Sequence, residues 1–264
     1  MKTSVVIPAY NGKKYLEDNL DSVIKLGIDE IVIVDDASTD QTVEFLEVKY
    51  PDIRLVKHPK NTGFPMSVND GFAAATGDVV FLLNQDLKPD KDLVENSLKH
   101  FNKPDVFAVT FNEGNHSWAE GKWKNGMLEF KNGILDNKLH NSLWPSGGGS
   151  AIRRDLWNKF GGFDLIFSPG YFEDLDLGLR VAKFNFRIIW DPTCVVEHVV
   201  EGIFPKSFPK KKLQHIKERN YLLAVWKNID AGLWQAHCKS LIKRIIKGPG
   251  YVVPVVQALW KKLV

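Results

Sequence analysis

The first part of the chain alternates between two rhythms of apolar and polar positions. Apolar runs at Val5-Val6-Ile7, Ile31-Val32-Ile33-Val34, Ile53–Val56 and Val79–Leu83 read as strands. Between them apolar residues return every three or four positions, as on one face of a helix. From Lys14 to Leu26 that face carries Leu16, Leu20, Val23 and Ile24. Further helices are predicted near Thr42–Val48, from Pro65 to about Ala75 and over Leu93–Phe101. Proline suits a first helical position because an N–H there has no intrahelical partner. Continuously apolar strands joined by helices predict an α/β fold with a mostly parallel central sheet and helices on both faces.

From about Asn112 to Pro145 the pattern loosens, and irregular loops with short hairpins are expected. Order resumes with a strand over Gly147–Arg153 and a helix around Asp155–Phe160. A second helix starts near Glu173, with Leu175, Leu179, Ala182 and Phe186 on its inner face. Arg187–Trp190 and Cys194–His198 are candidate strands, and Lys210–Trp226 reads as a basic amphipathic helix. Ligands of such sheets bind at the carboxyl ends of the strands. The residues there are Pro8-Ala9-Tyr10-Asn11, Asp35-Asp36, His58 to Gly63, and Asn84-Gln85-Asp86.

Charge changes the picture more than composition does. Residues 205–264 hold 13 Lys and Arg against Glu218 and Asp230, a net +11. The whole chain is +3, so residues 1–204 carry 22 basic and 30 acidic groups, a net −8. We therefore expect a catalytic domain over 1–204 and a basic C-terminal helical tail over 205–264. The tail would meet an anionic membrane surface through Lys210-Lys211-Lys212, Lys243-Arg244 and Lys247, with Leu241, Ile242, Ile245 and Ile246 sinking into the interface. The alternative is helices packed on the domain with a solvated basic face. No nucleic-acid reading motif accompanies the charge. No uncharged apolar run approaches the ~20 residues of a membrane span. Cys194 and Cys238 stand in no metal-ligand spacing, and the N-terminal residues lack a long apolar signal region. A cytoplasmic location, peripheral on the inner face of the cell membrane, is expected.

Several residue groups could carry chemistry. Asp35-Asp36 could accept hydrogen bonds from a nucleobase or ribose, or cap the following helix. Asp86, at the open end of a strand, could hold a divalent cation that also binds phosphate oxygens. Asp174, at a helix start beside Glu173, could serve as a general base; the helix dipole is the plainer reason for acids there. Asp176 reads as a surface ion pair with Arg180, four residues on. Gly147-Gly148-Gly149 allow close approach and suit the floor of a substrate site, with Gly148 and Gly149 facing the acceptor. His198 could be a metal ligand beside Asp86, or a structural histidine. The faces of Trp118, Trp123 and Trp144 suit an acceptor sugar, or pack a satellite core.

Taken in order, these pieces resemble family 2 glycosyltransferases. The resemblance rests on Val6-Ile7-Pro8-Ala9-Tyr10-Asn11, Val34-Asp35-Asp36-Ala37-Ser38-Thr39-Asp40, Asn61-Thr62-Gly63-Phe64, Asn69-Asp70-Gly71 and Gly77-Asp78. It continues through Gly147-Gly148-Gly149, Gly161-Gly162-Phe163-Asp164, Tyr171 to Asp176 and Val196-Glu197-His198, covering roughly residues 3–228. It implies a glycosyltransferase A fold and a nucleoside-diphosphate-sugar donor. Pro8, Ala9, Tyr10, Asn11, Asp35 and Asp36 would hold base and ribose. Asn61, Gly63 and Asn69 would belong to the nucleotide-sugar site, as would Asn84 and Gln85. Asp86 would bind Mg²⁺ or Mn²⁺ on the donor diphosphate, with His198 a diphosphate or metal contact. Asp174, paired with Glu173, would be the general base. The family's usual Asp-X-Asp is here Asn84-Gln85-Asp86, which resembles the variant of rhamnosyltransferase-like members and implies a deoxythymidine-diphosphate-rhamnose donor. The expected reaction is an inverting transfer to a glycan or lipid-linked glycan in cell-surface polysaccharide synthesis. A nucleotidyltransferase, or a non-catalytic nucleotide-sugar binder or scaffold, are the competing readings.

Overall fold

A computed structural model describes residues 1–114, 118–198 and 208–263. Parts of the irregular segment (115–117) and of the expected domain junction (199–207) therefore lie outside the described residues. One large sheet organises the chain. Its first strands are β1 (Thr3–Ala9), β2 (Glu30–Asp35), β3 (Arg54–Lys57), β4 (Val79–Leu83) and β5 (Leu87–Pro89). They alternate with α1 (Lys13–Ile24), α2 (Thr42–Lys49), α3 (Phe64–Ala74) and α4 (Leu93–Leu98). Then come β6 (Val106–Asn112), a separate hairpin of β7 (Ala119–Lys124) and β8 (Met127–Asn132), β9 (His140–Asn141) and β10 (Gly149–Arg153). After α5 (Arg154–Phe160) and α6 (Glu173–Ala182), β11 (Arg187–His198) closes the sheet.

The strand order is β3-β2-β1-β4-β10-β6-β11-β5, with β9 on β11. β1, β2, β3, β4, β6 and β11 point one way; β10, β5 and β9 oppose them. The parallel expectation therefore holds for the first four strands, and β10 then enters antiparallel and brings its glycines to the end of β4. The apolar stretches of β1, β2 and β4 are buried on both faces, whereas the edge strand β3 is only partly covered. One core packs the sheet against α1, α2 and α4, and a second packs it against α3, α5 and α6.

Several local expectations are corrected. Of the predicted α1 face, Leu16, Leu20 and Val23 are buried but Ile24 is exposed. α4 stops at Leu98 and tightens into a 3₁₀ turn over Lys99–Asn102. α6 ends at Ala182, so Phe186 packs on the second core from the turn that follows. The two strands predicted over 187–198 are one, with a register shift between Trp190 and Val195.

The C-terminal helices are α7 (Lys210–Asn228), α8 (Trp234–Lys247) and α9 (Val252–Leu263). In α7 polarity is divided along the length. Lys210, Lys211 and Lys212 are exposed, whereas Tyr221 to Trp226 are buried. That half packs on α6 and α9 and forms a third core with Leu128, Phe167, Leu175 and Leu179. Leu241 and Ile245 lean on the same core, while Ile242 and Ile246 stay exposed. None of the described helices is long and apolar enough to cross a membrane.

Candidate functional site

β1, β2 and β4 run parallel and end at one edge, where their following residues wall a cavity of about 330 Å³. Pro8, Ala9, Tyr10, Asp36, Asn61, Gly63, Asn84, Gln85 and Asp86 all line it. Nine residues singled out from the sequence thus meet in one place. Phe64, Ser67, Pro169 and Phe208 complete the wall and were not singled out.

Asp36 organises the nucleotide side. Its Oδ1 accepts from the Thr62 N–H (2.7 Å) and hydroxyl (2.8 Å), and its Oδ2 from the Gly63 N–H (2.8 Å). His58 Nδ1 lies 2.8 Å from the same Oδ1, and Nε2 lies 2.9 Å from Asp70. The loop from β3 to α3 is thereby tied to the end of β2. Gly63 has φ +90°, which a side chain would strain, and an added Cβ would come within 3.1 Å of the Pro169 Cα. Gln85 clamps Tyr10 in the same fashion: its Oε1 accepts from the Tyr10 N–H (3.1 Å) and its Nε2 donates to the Tyr10 carbonyl (3.2 Å).

Three expected nucleotide residues do not line the cavity. Asp35 is buried, accepts from the Ser38 N–H at 3.0 Å and leaves Oδ1 without a partner. Asn11 takes φ +47° and accepts from Thr39, bracing the β2–α2 turn. Asn69 lies outside the cavity altogether: its Nδ2 donates to the Phe163 carbonyl (2.8 Å) and its Oδ1 accepts from the Phe163 N–H (3.0 Å). Both ends of its amide are used in pinning a distant loop to α3.

On the phosphate side, Asp86 is buried near Glu113 and His198. Burial pushes its carboxyl above the usual range, His198 and its own N–H oppose that, and Glu113 adds to it. His198 Nδ1 sits 3.2 Å from Glu113 Oε2, and that hydrogen bond raises the imidazole's pKa. Glu113 Oε1 accepts from the Ser146 hydroxyl at 2.6 Å. No group of three or more His, Cys, Asp or Glu is gathered in metal-ligating geometry among the described residues. Asp86 and His198 still fit a cation: one offers a buried carboxylate, and the other has one nitrogen oriented by a carboxylate, leaving Nε2 for a ligand. Glu113 follows β6 at the same edge, and it is missing from the sequence reading because β6, absent from the predicted strands, gave no strand end there.

The third component is the start of α6. Gly149 pairs with Leu83 across β10 and β4, and the Asn84 N–H donates to the Gly148 carbonyl at 2.8 Å. A Cβ on Gly148 would come within 3.0 Å of the Asn84 side chain. One on Gly147 would lie 3.5 Å from Phe64, 3.6 Å from Asp174 and 3.7 Å from Glu173. Glu173 and Asp174 do not themselves line the cavity; both lie near Gly147, which also neighbours the wall residue Phe64. Tyr171 and Phe172 precede them with φ of +75° and +72°, a strained entry for non-glycine residues. Burial pushes the Asp174 carboxyl up to about 6, with the Leu175 and Gly147 N–H groups pulling down and Glu113 adding to the rise. Glu173 is fully enclosed, with Oε2 unpartnered. Burial first, and Asp174 second, push it well above the ordinary carboxylate range.

Asp176 is no surface ion pair. It is fully buried and bonds Arg180 (2.8 Å), Lys227 (3.1 Å) and Asn228 (2.9 Å), joining α6 to α7. The acceptor tryptophans divide. Trp144 packs edge-on against Phe130 at 5.3 Å and covers Gly178 of α6. Trp118 stacks on His140 at 4.1 Å, and its Nε1 donates to the Ile134 carbonyl. Neither lines the cavity.

The sequence model described as "Glycosyl transferase family 2" matches residues 4–161. The chain is 27% identical over 203 residues to pre-mycofactocin glycosyltransferase of Mycobacterium tuberculosis, an alignment covering 74% of this chain and 42% of that one. It therefore spans less than half of that relative's length. GalNAc-T7, solved with UDP, GalNAc and Mn²⁺, matches at a TM-score of 0.69 with 17% identity, over 85% of this chain and 47% of that one. A mannosyltransferase of Pyrobaculum calidifontis, solved with GDP-Man and Mn²⁺, matches at 0.63 with 19% identity, over 98% and 75%. At these identities the structural likeness speaks for the fold.

Proposed function

The chain belongs to glycosyltransferase family 2, and from that premise we propose that it moves a sugar, with inversion, from a nucleoside-diphosphate sugar to a hydroxyl of a glycan or lipid-linked glycan. The observation that carries this reading is the meeting of Asp36 and Asp86 in one cavity; Asp174 lies outside its lining but near Gly147, which neighbours the wall residue Phe64. Base and ribose fit against Pro8 to Tyr10, with Asn61 and Gly63 alongside. Asp36 mainly shapes this part, since Oδ1 is fully engaged and Oδ2 keeps one acceptor site for a ligand. The proposed acceptor side is Gly148 and Gly149 with Trp144.

In the proposed step the acceptor hydroxyl gives its proton to Asp174 as its oxygen bonds the anomeric carbon. The bond from that carbon to the diphosphate breaks, and its electron pair departs with the nucleoside diphosphate. A single displacement inverts the configuration. Asp174 suits the task because burial raises its basicity without leaving it protonated at neutral pH. Asp86 and His198 would hold a divalent cation, Mg²⁺ or Mn²⁺, which would supply neutralising charge at the donor diphosphate. Asn84, where the family's first carboxylate usually stands, favours a deoxyhexose donor such as deoxythymidine-diphosphate rhamnose. The reading fits cell-surface polysaccharide assembly on the cytoplasmic side of a membrane.

The test is incubation with a panel of nucleotide sugars, with and without Mn²⁺, after thermal shift has picked the donors that stabilise the fold. Release of a nucleoside diphosphate that stops in Asp174→Asn is expected. Pyrophosphate as the product, or full turnover in Asp174→Asn, overturns the proposal.

A further inference from the structure

The last helix, α9, is apolar on two opposite sides. Its inner side buries Pro254, Val255 and Ala258 in the core shared with α7. On that side Lys261 donates to the carbonyls of Ile166 (2.6 Å) and Ser168 (2.8 Å). Val252, Val256, Leu259, Trp260 and Leu263 follow at helical spacings and share the outer side, with Val253 at its border. All six are exposed, Trp260 by 68% and Leu263 by 84%. A helix that is apolar all round is a helix covered all round. Among the described residues, the protein covers one side only.

Charge identifies what covers the other. Residues 231–264 hold Lys239, Lys243, Arg244, Lys247, Lys261 and Lys262 and no Asp or Glu. On α8 the exposed Ile242 and Ile246 lie beside an exposed row of Lys239, Lys243 and Lys247. We infer that the outer side of α9, with this row of α8, docks on an anionic lipid surface and lies along it. Valine, leucine and tryptophan side chains enter the interface, and the lysines meet the headgroups. The helix cannot span: its 12 residues rise ~18 Å against a hydrocarbon core of ~30 Å. A nucleic acid matches the charge but not the apolar face. An ordinary protein groove matches the apolar face but not the unbroken basic run.

The docking surface is not the one expected from sequence, which included Leu241 and Ile245; both lean on the protein itself. Attachment also reaches the donor cavity. Lys261 ties α9 to Ile166 and Ser168, and the next residue, Pro169, is a wall of the cavity. The inference concerns attachment and stands whether or not the transfer reading holds.

The experiment is flotation of the full chain with vesicles of phosphatidylcholine, alone or mixed with phosphatidylglycerol. Wild type is expected to float with the mixed vesicles and to bind phosphatidylcholine alone about tenfold more weakly. Val256→Asp with Trp260→Ser should weaken binding to mixed vesicles about tenfold or more, with unchanged circular dichroism and melting because both side chains are exposed. Lys239→Glu with Lys243→Glu should abolish the preference for phosphatidylglycerol. The inference is overturned if wild type does not float with the mixed vesicles, or if the Val256/Trp260 variant floats as wild type does. It is also overturned if wild type sediments as a dimer that this variant turns into a monomer, since the face then belongs to a second copy. Donor binding followed by thermal shift in lipid-free samples keeps the transfer reading separately measurable.

Discussion

Two pairs of adjacent carboxylic acids, Asp35-Asp36 and Glu173-Asp174, stand near the same cavity in opposite surroundings. Asp36 sits where a strand has just ended and loop N–H groups turn back, so its oxygens accept from Thr62 and Gly63 and face His58. Its work is to hold backbone in place. Asp174 sits at a helix start under a glycine run, with little beyond the Leu175 and Gly147 N–H groups to hold it, and burial drives its proton affinity up. Its enclosed neighbour Glu173 is pushed up as well, by burial first and by Asp174 second, and both causes favour its protonated form. The same residue type serves as scaffold where donors saturate it, and gains proton affinity, as the proposed base needs, where desolvation dominates.

Exchanging the roles is the direct way to break this contrast. Asp174→Asn should lower turnover ~10²-fold or more while donor-induced thermal stabilisation persists. Equal losses of turnover and donor binding would place Asp174 with the scaffold instead. Asp36→Ala should act on the fold. It strands the Thr62 and Gly63 N–H groups and the ring of His58, at a loss of about 3 kcal/mol, read as a lower denaturant midpoint. An unchanged midpoint would show that the network around Asp36 holds nothing.

Smaller effects sharpen the contrast. Below its raised pKa Asp174 carries a proton and cannot accept another. The rate at saturating substrate should therefore climb with rising pH through about 6 and level off above it. A rate that is flat from pH 5 to 7, a window on either side of ~6, would remove Asp174 from the proton transfer. Glu173→Gln replaces a neutral acid with a neutral amide of similar shape, so turnover at neutral pH should stay within ~3-fold of wild type. A loss matching that of Asp174→Asn would mean that Glu173 is ionised when it acts.

Much of the donor side was legible because it follows from local pattern. Apolar runs and amphipathic stretches mark the elements, and the strand-end rule then points to Pro8, Asp36 and Asp86 without further information. Glu113 obeys the same rule after β6, but β6 is not among the strands read from the sequence, so no predicted strand end pointed to it. Asn69 looked like a nucleotide contact because it stands in a family-like piece. Its amide is used by Phe163, 94 residues away, a partnership that no local spacing encodes. Asp176 and Arg180 do form their four-residue pair, yet α7 buries it and adds Lys227 and Asn228.

What the sequence determined by itself was the alternation of the first four strands with their helices, the strand ends that wall the cavity, the acids Asp36 and Asp86 there and the uneven charge of the two ends. These depend on side-chain periodicity and composition, which are properties of neighbours in the chain. Tertiary structure decided which acids are saturated by donors and which are desolvated, which side of each C-terminal helix is covered, and that Trp118 and Trp144 pack on protein away from the cavity. Those outcomes depend on desolvation and on donors supplied from remote segments, and both come into being only when the elements pack.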